Sequence, residues 1–142
     1  MRVLITGANR GIGRALYDCY VERGDDVIGT TRNQASEGWL QLDVTDPASV
    51  SAMANQLNGE AIDLLICNAG VYLDKDGELG NDYTSNVWAD TFAANVTGVF
   101  LTIETLLSNL RAVGGKVAII SSQMGSSERA GGNAFAYRAS KA

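Results

Sequence analysis

Tyr137 and Lys141 stand four positions apart in "AFAYRASKA", residues 134–142, where the sequence ends. Side chains at that spacing on a helix share a face, so the ammonium can stabilise negative charge developing on the phenol. A tyrosine with an ordinary pKa of about 10 is protonated at neutral pH and can donate. A neighbouring cation makes it easier to ionise, which the reverse transfer requires. The pair is therefore a candidate proton donor and acceptor for chemistry at an oxygen. Taken alone, the spacing equally describes a surface tyrosine beside a solvated lysine.

A second chemical signal is "TGANRGIG", residues 6–13. Gly7, Gly11 and Gly13 permit a tight turn and close backbone approach, and the free N–H groups opening a helix at Ile12 form an anion site suited to a pyrophosphate. The spacing is G-x3-G-x-G, a relative of the dinucleotide fingerprint and not a match, since Asn9 and Ile12 fall where that motif wants glycine or free choice. A tight structural turn is the other reading. Further along, "TTRN" ends a predicted strand where an acidic residue commonly holds the ribose of NAD. Thr31 and Arg32 stand there instead. Arg32 together with Arg10 would pair a 2′-phosphate, which favours NADP over NAD. Each arginine singly also reads as a solvated surface residue.

These groups must be positioned by the elements between them. Arg2–Thr6, Asp26–Thr30, Ile62–Cys67 and Lys116–Ser121 read as strands, with a weaker one at Trp39–Leu42. Their nearly continuous apolar character suits a parallel sheet covered on both faces. Helices fill the gaps: Ile12–Arg23, stopping against Gly24, and a helix capped by Asp46 with Pro47 at its first position. Alternation of strand and helix predicts an α/β domain with right-handed crossovers. The longest helical stretch runs from Val87 to Leu110, with an apolar stripe of Trp88, Phe92, Val99, Ile103, Leu106 and Leu110. Asn95 lies on that stripe, and a buried amide needs a partner. A bond to neighbouring backbone would be one answer.

The bulk properties narrow the functional classes. A chain of 142 residues carries one domain. Its net charge of -5 and the absence of a Lys/Arg cluster argue against nucleic acid and anionic lipid as partners. The amino terminus has neither a signal-peptide core nor a membrane span, so a cytoplasmic protein is expected. With no histidine in the chain, a Ser-His-Asp hydrolase and a histidine-ligated zinc site are excluded. No metal site is expected, and Cys19 and Cys67 read as reduced thiols packed in the core.

Six motifs in order, "TGANRGIG", "LDVTD" (42–46), "NAG" (68–70), "NVTG" (95–98), "IISS" (119–122) and "YRASK" (137–141), resemble the short-chain dehydrogenase/reductase family along the whole chain. Within it, "SSQMGS" followed by "GGNAFAYRASKA" is similar to C-factor-like and carbonyl-reductase-like members. The resemblance implies a Rossmann-type doubly wound sheet of order 3-2-1-4-5 and a nicotinamide cofactor. It implies that Gly7, Asn9, Arg10, Gly11, Ile12, Gly13 and Arg32 hold the cofactor. Asp43 would bond the adenine amino group beside Val44, and Asn68, Ala69 and Gly70 would line the cleft. Where the family often has a further asparagine, this chain has Cys67.

The same resemblance implies that Tyr137 and Lys141 also contact the cofactor, that Tyr137 is the general acid/base, that Lys141 tunes it and reaches a ribose hydroxyl, and that Ser122 bonds the substrate oxygen. Ser121, Ser126 and Ser127 compete for that last assignment. Asn95 would complete a tetrad by holding a water behind Lys141. The implied function is NADPH-dependent reduction of a small-molecule carbonyl, or oxidation of the matching alcohol, by a homo-oligomer. A non-catalytic nucleotide-binding signalling or sensor protein of the C-factor type is the alternative. Residues 123–136 form a longer connection than many members carry, to be absorbed in "GSSERAGGN". Family members continue for roughly another hundred residues, so residues 1–142 are expected to be a cofactor-binding domain incomplete at its C-terminus.

Overall fold

The structure is a computed structural model that describes residues 1–33 and 38–142. Five parallel strands form one sheet in the order β3-β2-β1-β4-β5: β1 Arg2–Ile5, β2 Asp26–Thr31, β3 Trp39–Gln41, β4 Leu64–Cys67 and β5 Lys116–Ile119. The apolar run of β1 takes the centre, where Val3, Leu4 and Ile5 are fully buried. Leu4 pairs with Ile28 on one side and Leu65 on the other. Successive side chains point to opposite faces, so Leu4 joins one hydrophobic cluster while Val3 and Ile5 join the other. Both faces of the central strand are therefore covered, as the expected doubly wound α/β fold requires, whereas at the β5 edge Val117 and Ile119 are exposed.

Helix α1, Gly11–Glu22, packs Leu16, Tyr17 and Tyr20 onto the face of Val3 and Ile5. Helix α2, Pro47–Gln56, lies on the opposite face with Val50 and Met53 buried. Its start follows the predicted chemistry: the Asp46 carboxylate accepts the Ala48 N–H at 2.9 Å and Pro47 opens the helix. Full burial of a side chain such as Leu65 or Met53 is worth roughly 2 kcal/mol.

Two expectations are corrected. The stretch from Val87 to Leu110 is not one helix. It comprises α3, Ser85–Phe92, a π turn at Ala93–Thr97, α4, Gly98–Thr105, and α5, Leu107–Arg111. A π turn inserts an extra residue into the helical repeat, and so the apolar stripe changes phase there. Leu106 and Leu110 are buried, whereas Trp88, upstream of the turn, is 37% exposed. Cys67 is buried as expected, but Cys19 is exposed because α1 turns Leu16, Tyr17 and Tyr20 inward and leaves Cys19 outside.

After β5 come two short 3-10 turns, Gln123–Gly125 and Ser127–Arg129, and then α6, Phe135–Lys141. These turns absorb the long connection before Tyr137. No helix among the described residues is long and apolar enough to cross a membrane.

Candidate active site

The carboxyl ends of β1, β2 and β4 open onto a cleft of about 500 Å³. Its walls include Gly7, Asn9, Arg10, Gly11, Ile12 and Gly13 from the first turn, and Arg32 after β2. Asp43 and Val44 follow β3, and Asn68, Ala69 and Gly70 follow β4. The structure thus brings together every residue the sequence assigned to cofactor binding except Tyr137 and Lys141. Thr31, Asn33, Leu42, Thr45, Val71 and Ala94 also line the cleft; the first four lie within "TTRN" and "LDVTD", whereas Val71 and Ala94 only flank the "NAG" and "NVTG" motifs.

The glycine loop is held by hydrogen bonds from its neighbours. The Asn68 side-chain amide donates to the carbonyls of Thr6 and Gly7, each at 3.0 Å. The Thr6 hydroxyl accepts the N–H groups of Asn68 and Ala69, and the Thr30 hydroxyl accepts that of Gly7. A single asparagine, Asn68, thus reaches both loop carbonyls, with the buried Cys67 preceding it. At Gly13 a Cβ would stand 2.3 Å from Asn68 Nδ2 and 2.4 Å from the Gly7 carbonyl oxygen, so only glycine lets α1 approach the loop this closely.

These features fit a dinucleotide. Helix α1 begins with no side-chain cap and no acidic residue in its first turn, leaving its N–H groups for an anion. Asp43 accepts the Thr45 hydroxyl at 2.7 Å and its N–H at 2.9 Å, both on Oδ1. These bonds, with the Arg32 charge adding to them, hold its carboxyl below the ordinary carboxylate range. Arg32 and Arg10 are both exposed at this rim.

At the other end of the cleft, Gly70 adjoins α6. A Cβ on Gly70 would lie 2.9 Å from Asn95 Oδ1 and 3.7 Å from Lys141 Nζ. Lys141 Nζ donates to the Ile120 carbonyl at 2.9 Å and lies 5.9 Å from the centre of the Tyr137 ring. Partial burial pulls the pKa of this ammonium down. The Tyr137 ring stacks on Tyr72, with centres 4.1 Å apart and planes inclined by 17°.

Asn95 sits in the middle of the π turn and is 6% exposed. Its amide is bonded entirely by protein groups: Oδ1 accepts the Val71 N–H at 2.8 Å, and Nδ2 donates to the Val71 carbonyl and the Ser140 hydroxyl, both at 2.9 Å. The partner it needed is thus the backbone after Gly70 together with α6.

The Ser122 hydroxyl accepts the Met124 N–H at 3.1 Å and makes no donation among the described residues, so its proton is available. Ser121 instead donates to the Lys141 carbonyl at 3.1 Å. Arg138 ties the long connection to α6, donating to carbonyls of Met124, Arg129 and Asn133. Among the described residues no three His, Cys, Asp or Glu side chains are grouped to hold a metal.

A parallel sheet with a glycine turn after β1 and a Tyr-Lys pair beside the end of β5 defines a class of dinucleotide-binding protein. Comparison with known proteins sharpens this. The family model described as short chain dehydrogenase matches residues 1–142, and the chain belongs to that family. It is 33% identical to the 3-oxoacyl-(acyl-carrier-protein) reductase FabG of Salmonella typhimurium, covering 90% of this chain and 57% of that protein. It is 31% identical to the cis-4-hydroxycyclohexanecarboxylate dehydrogenase of Sinomonas cyclohexanicum, covering 98% and 61%. Among solved structures, the NADPH-bound carbonyl reductase from chicken fatty liver superposes with a TM-score of 0.84 at 28% identity, covering 99% of this chain and 68% of that one. A short-chain dehydrogenase/reductase from Burkholderia multivorans with bound NADP gives 0.86 at 28%, covering 99% and 67%. The chain thus spans 57–61% of the length of these curated relatives.

Proposed function

We propose that the protein is an oxidoreductase that reduces a small-molecule carbonyl, or oxidises the matching alcohol, with NADPH preferred over NADH. The observation that carries this reading is Gly70, which lines the cleft and also abuts Asn95 and Lys141, so the cofactor cleft and the proton-handling residues meet at one backbone position. A bound nicotinamide supplies the hydride. The chain supplies the proton and the orientation.

In this reading Tyr137 donates its phenolic proton to the substrate oxygen, and Lys141 stabilises the charge that develops on the phenol. Ser122 donates its free hydroxyl proton to the same oxygen, holding it and polarising the carbonyl. Asn95 locks the Val71 backbone to Ser140, one residue before Lys141. The exposed Arg10 and Arg32 favour a cofactor bearing a 2′-phosphate. Assembly into a homo-oligomer belongs to the same proposal.

The test is NADPH oxidation by the intact protein with a panel of aldehydes and ketones, alongside Tyr137→Phe. Turnover that falls at least about 100-fold in the variant, with cofactor binding retained, is expected. Cofactor binding without turnover in the wild-type protein would overturn the enzymatic reading in favour of a sensor.

A further inference from the structure

Asp74 lies in the loop between β4 and α3 and is 2% exposed. Its Oδ2 accepts the N–H groups of Ala136 at 2.8 Å and Tyr137 at 3.3 Å, reaching across more than sixty residues of sequence to the first turn of α6. That helix has no acceptor of its own. Its N-cap position is Ala134, held in the left-handed region at φ 54°, which brings no capping side chain. A buried carboxyl group from elsewhere in the chain thus takes the place of a cap.

The rest of the loop grips the same few residues. Tyr72 covers the face of the Tyr137 ring. The Tyr83 hydroxyl accepts the Ala134 N–H at 2.8 Å and donates to the Gly77 carbonyl at 3.3 Å, while its ring packs edge-on against Phe135 at 5.2 Å. The backbone and the ring of Tyr137 are therefore both set by residues 72–83. Asp74 Oδ1 is buried without a hydrogen-bond partner among the described residues. An unsatisfied buried oxygen is disfavoured in a group that serves stability alone, and departures of this kind concentrate at functional sites.

We propose that Asp74 is a positioning residue for the reaction: its carboxylate fixes the start of α6 and so aims the Tyr137 phenol, without touching substrate or cofactor. The proposal rests on the reading of Tyr137 as the acid/base. Two variants separate its parts. Asp74→Asn keeps an oxygen acceptor of the same reach, whereas Asp74→Ala removes it.

Two measurements are made on the intact protein. Backbone hydrogen exchange by NMR reads the anchor itself: protection of the Ala136 and Tyr137 amides is lost in Asp74→Ala, largely kept in Asp74→Asn, and unchanged in both for Leu65 of β4. Steady-state kinetics with NADPH and 4-nitrobenzaldehyde read its consequence: kcat falls roughly 10- to 100-fold in Asp74→Ala, the KM for NADPH stays within about twofold, and Asp74→Asn recovers most of kcat. Unchanged protection at residues 136 and 137, or unchanged kcat in a folded Asp74→Ala protein, overturns the proposal. So does a collapse of exchange protection across the whole sheet in both variants, which marks a purely structural residue. If the wild-type protein binds NADPH and reduces nothing in the carbonyl panel, the acid/base reading of Tyr137 fails, and the proposed reaction role fails with it. The exchange result then reports only whether Asp74 anchors the helix.

Discussion

Arg32 stands exposed where β2 leaves the sheet, and its charge reaches the carboxyl of Asp43 across the rim of the cleft. If it meets a 2′-phosphate, Arg32→Ser raises the KM for NADPH at least about tenfold, the effect of losing one charge-assisted contact, and leaves that for NADH nearly unchanged. Steady-state kinetics with both cofactors check this, and equal losses for the two would remove Arg32 from the phosphate site. Asp43 itself makes a pH prediction. Its bonds to Thr45 depress its folded pKa, so the folded state holds fewer protons than the unfolded chain. That stabilisation is complete above the unfolded value of about 4 and is lost as the pH falls through the lower folded value. Thr45→Ala is accordingly expected to lose about 1 kcal/mol at pH 7, with the gap to wild type closing in urea melts at strongly acidic pH. The glycines, Arg32 and the Tyr-Lys pair stand out in the sequence as candidates because of their types and spacing. Asp74 does not, since it sits in a polar loop without periodicity and its partners are distant in the chain.

At the scale of elements, the π turn explains why a pattern can be read correctly and still mislead. Apolar residues recur from Trp88 to Leu110 at near-helical spacing, which is why the stretch reads as one helix. A single inserted residue changes the facing of everything upstream while scarcely disturbing the pattern. The need for a partner at Asn95 was legible; the identity of that partner was not, because Val71 belongs to a loop whose path only the fold fixes. Asn95→Ala strands the N–H and carbonyl of Val71, and a destabilisation of about 1–3 kcal/mol is expected from those unpaired groups. Chemical denaturation measures it, and a variant as stable as wild type would mean that Val71 finds other partners. The central strands β1 and β4, in contrast, followed directly from their apolar runs, since burial on both faces leaves little room for polar residues; the edge strand β5 is apolar too, yet most of it is exposed.

For the molecule as a whole, the two cysteines report on which surfaces are sealed. Burial pushes the Cys67 thiol up to about 12, and the residue is only 3% exposed. Cys19 is open to solvent. Native protein treated with iodoacetamide is expected to gain one adduct by intact mass, and a second only after unfolding in urea. Two adducts at similar rates in the native state would contradict the packing of β4. The packed sheet and the cleft occupy different parts of the structure: hydrophobic clusters fill the strand faces, whereas the candidate chemistry gathers where β1, β2 and β4 run out into loops. Substitutions in those connecting segments that spare the bonds of Thr45 and Val71 can therefore reshape the cleft while the buried strands beneath it stay as they are.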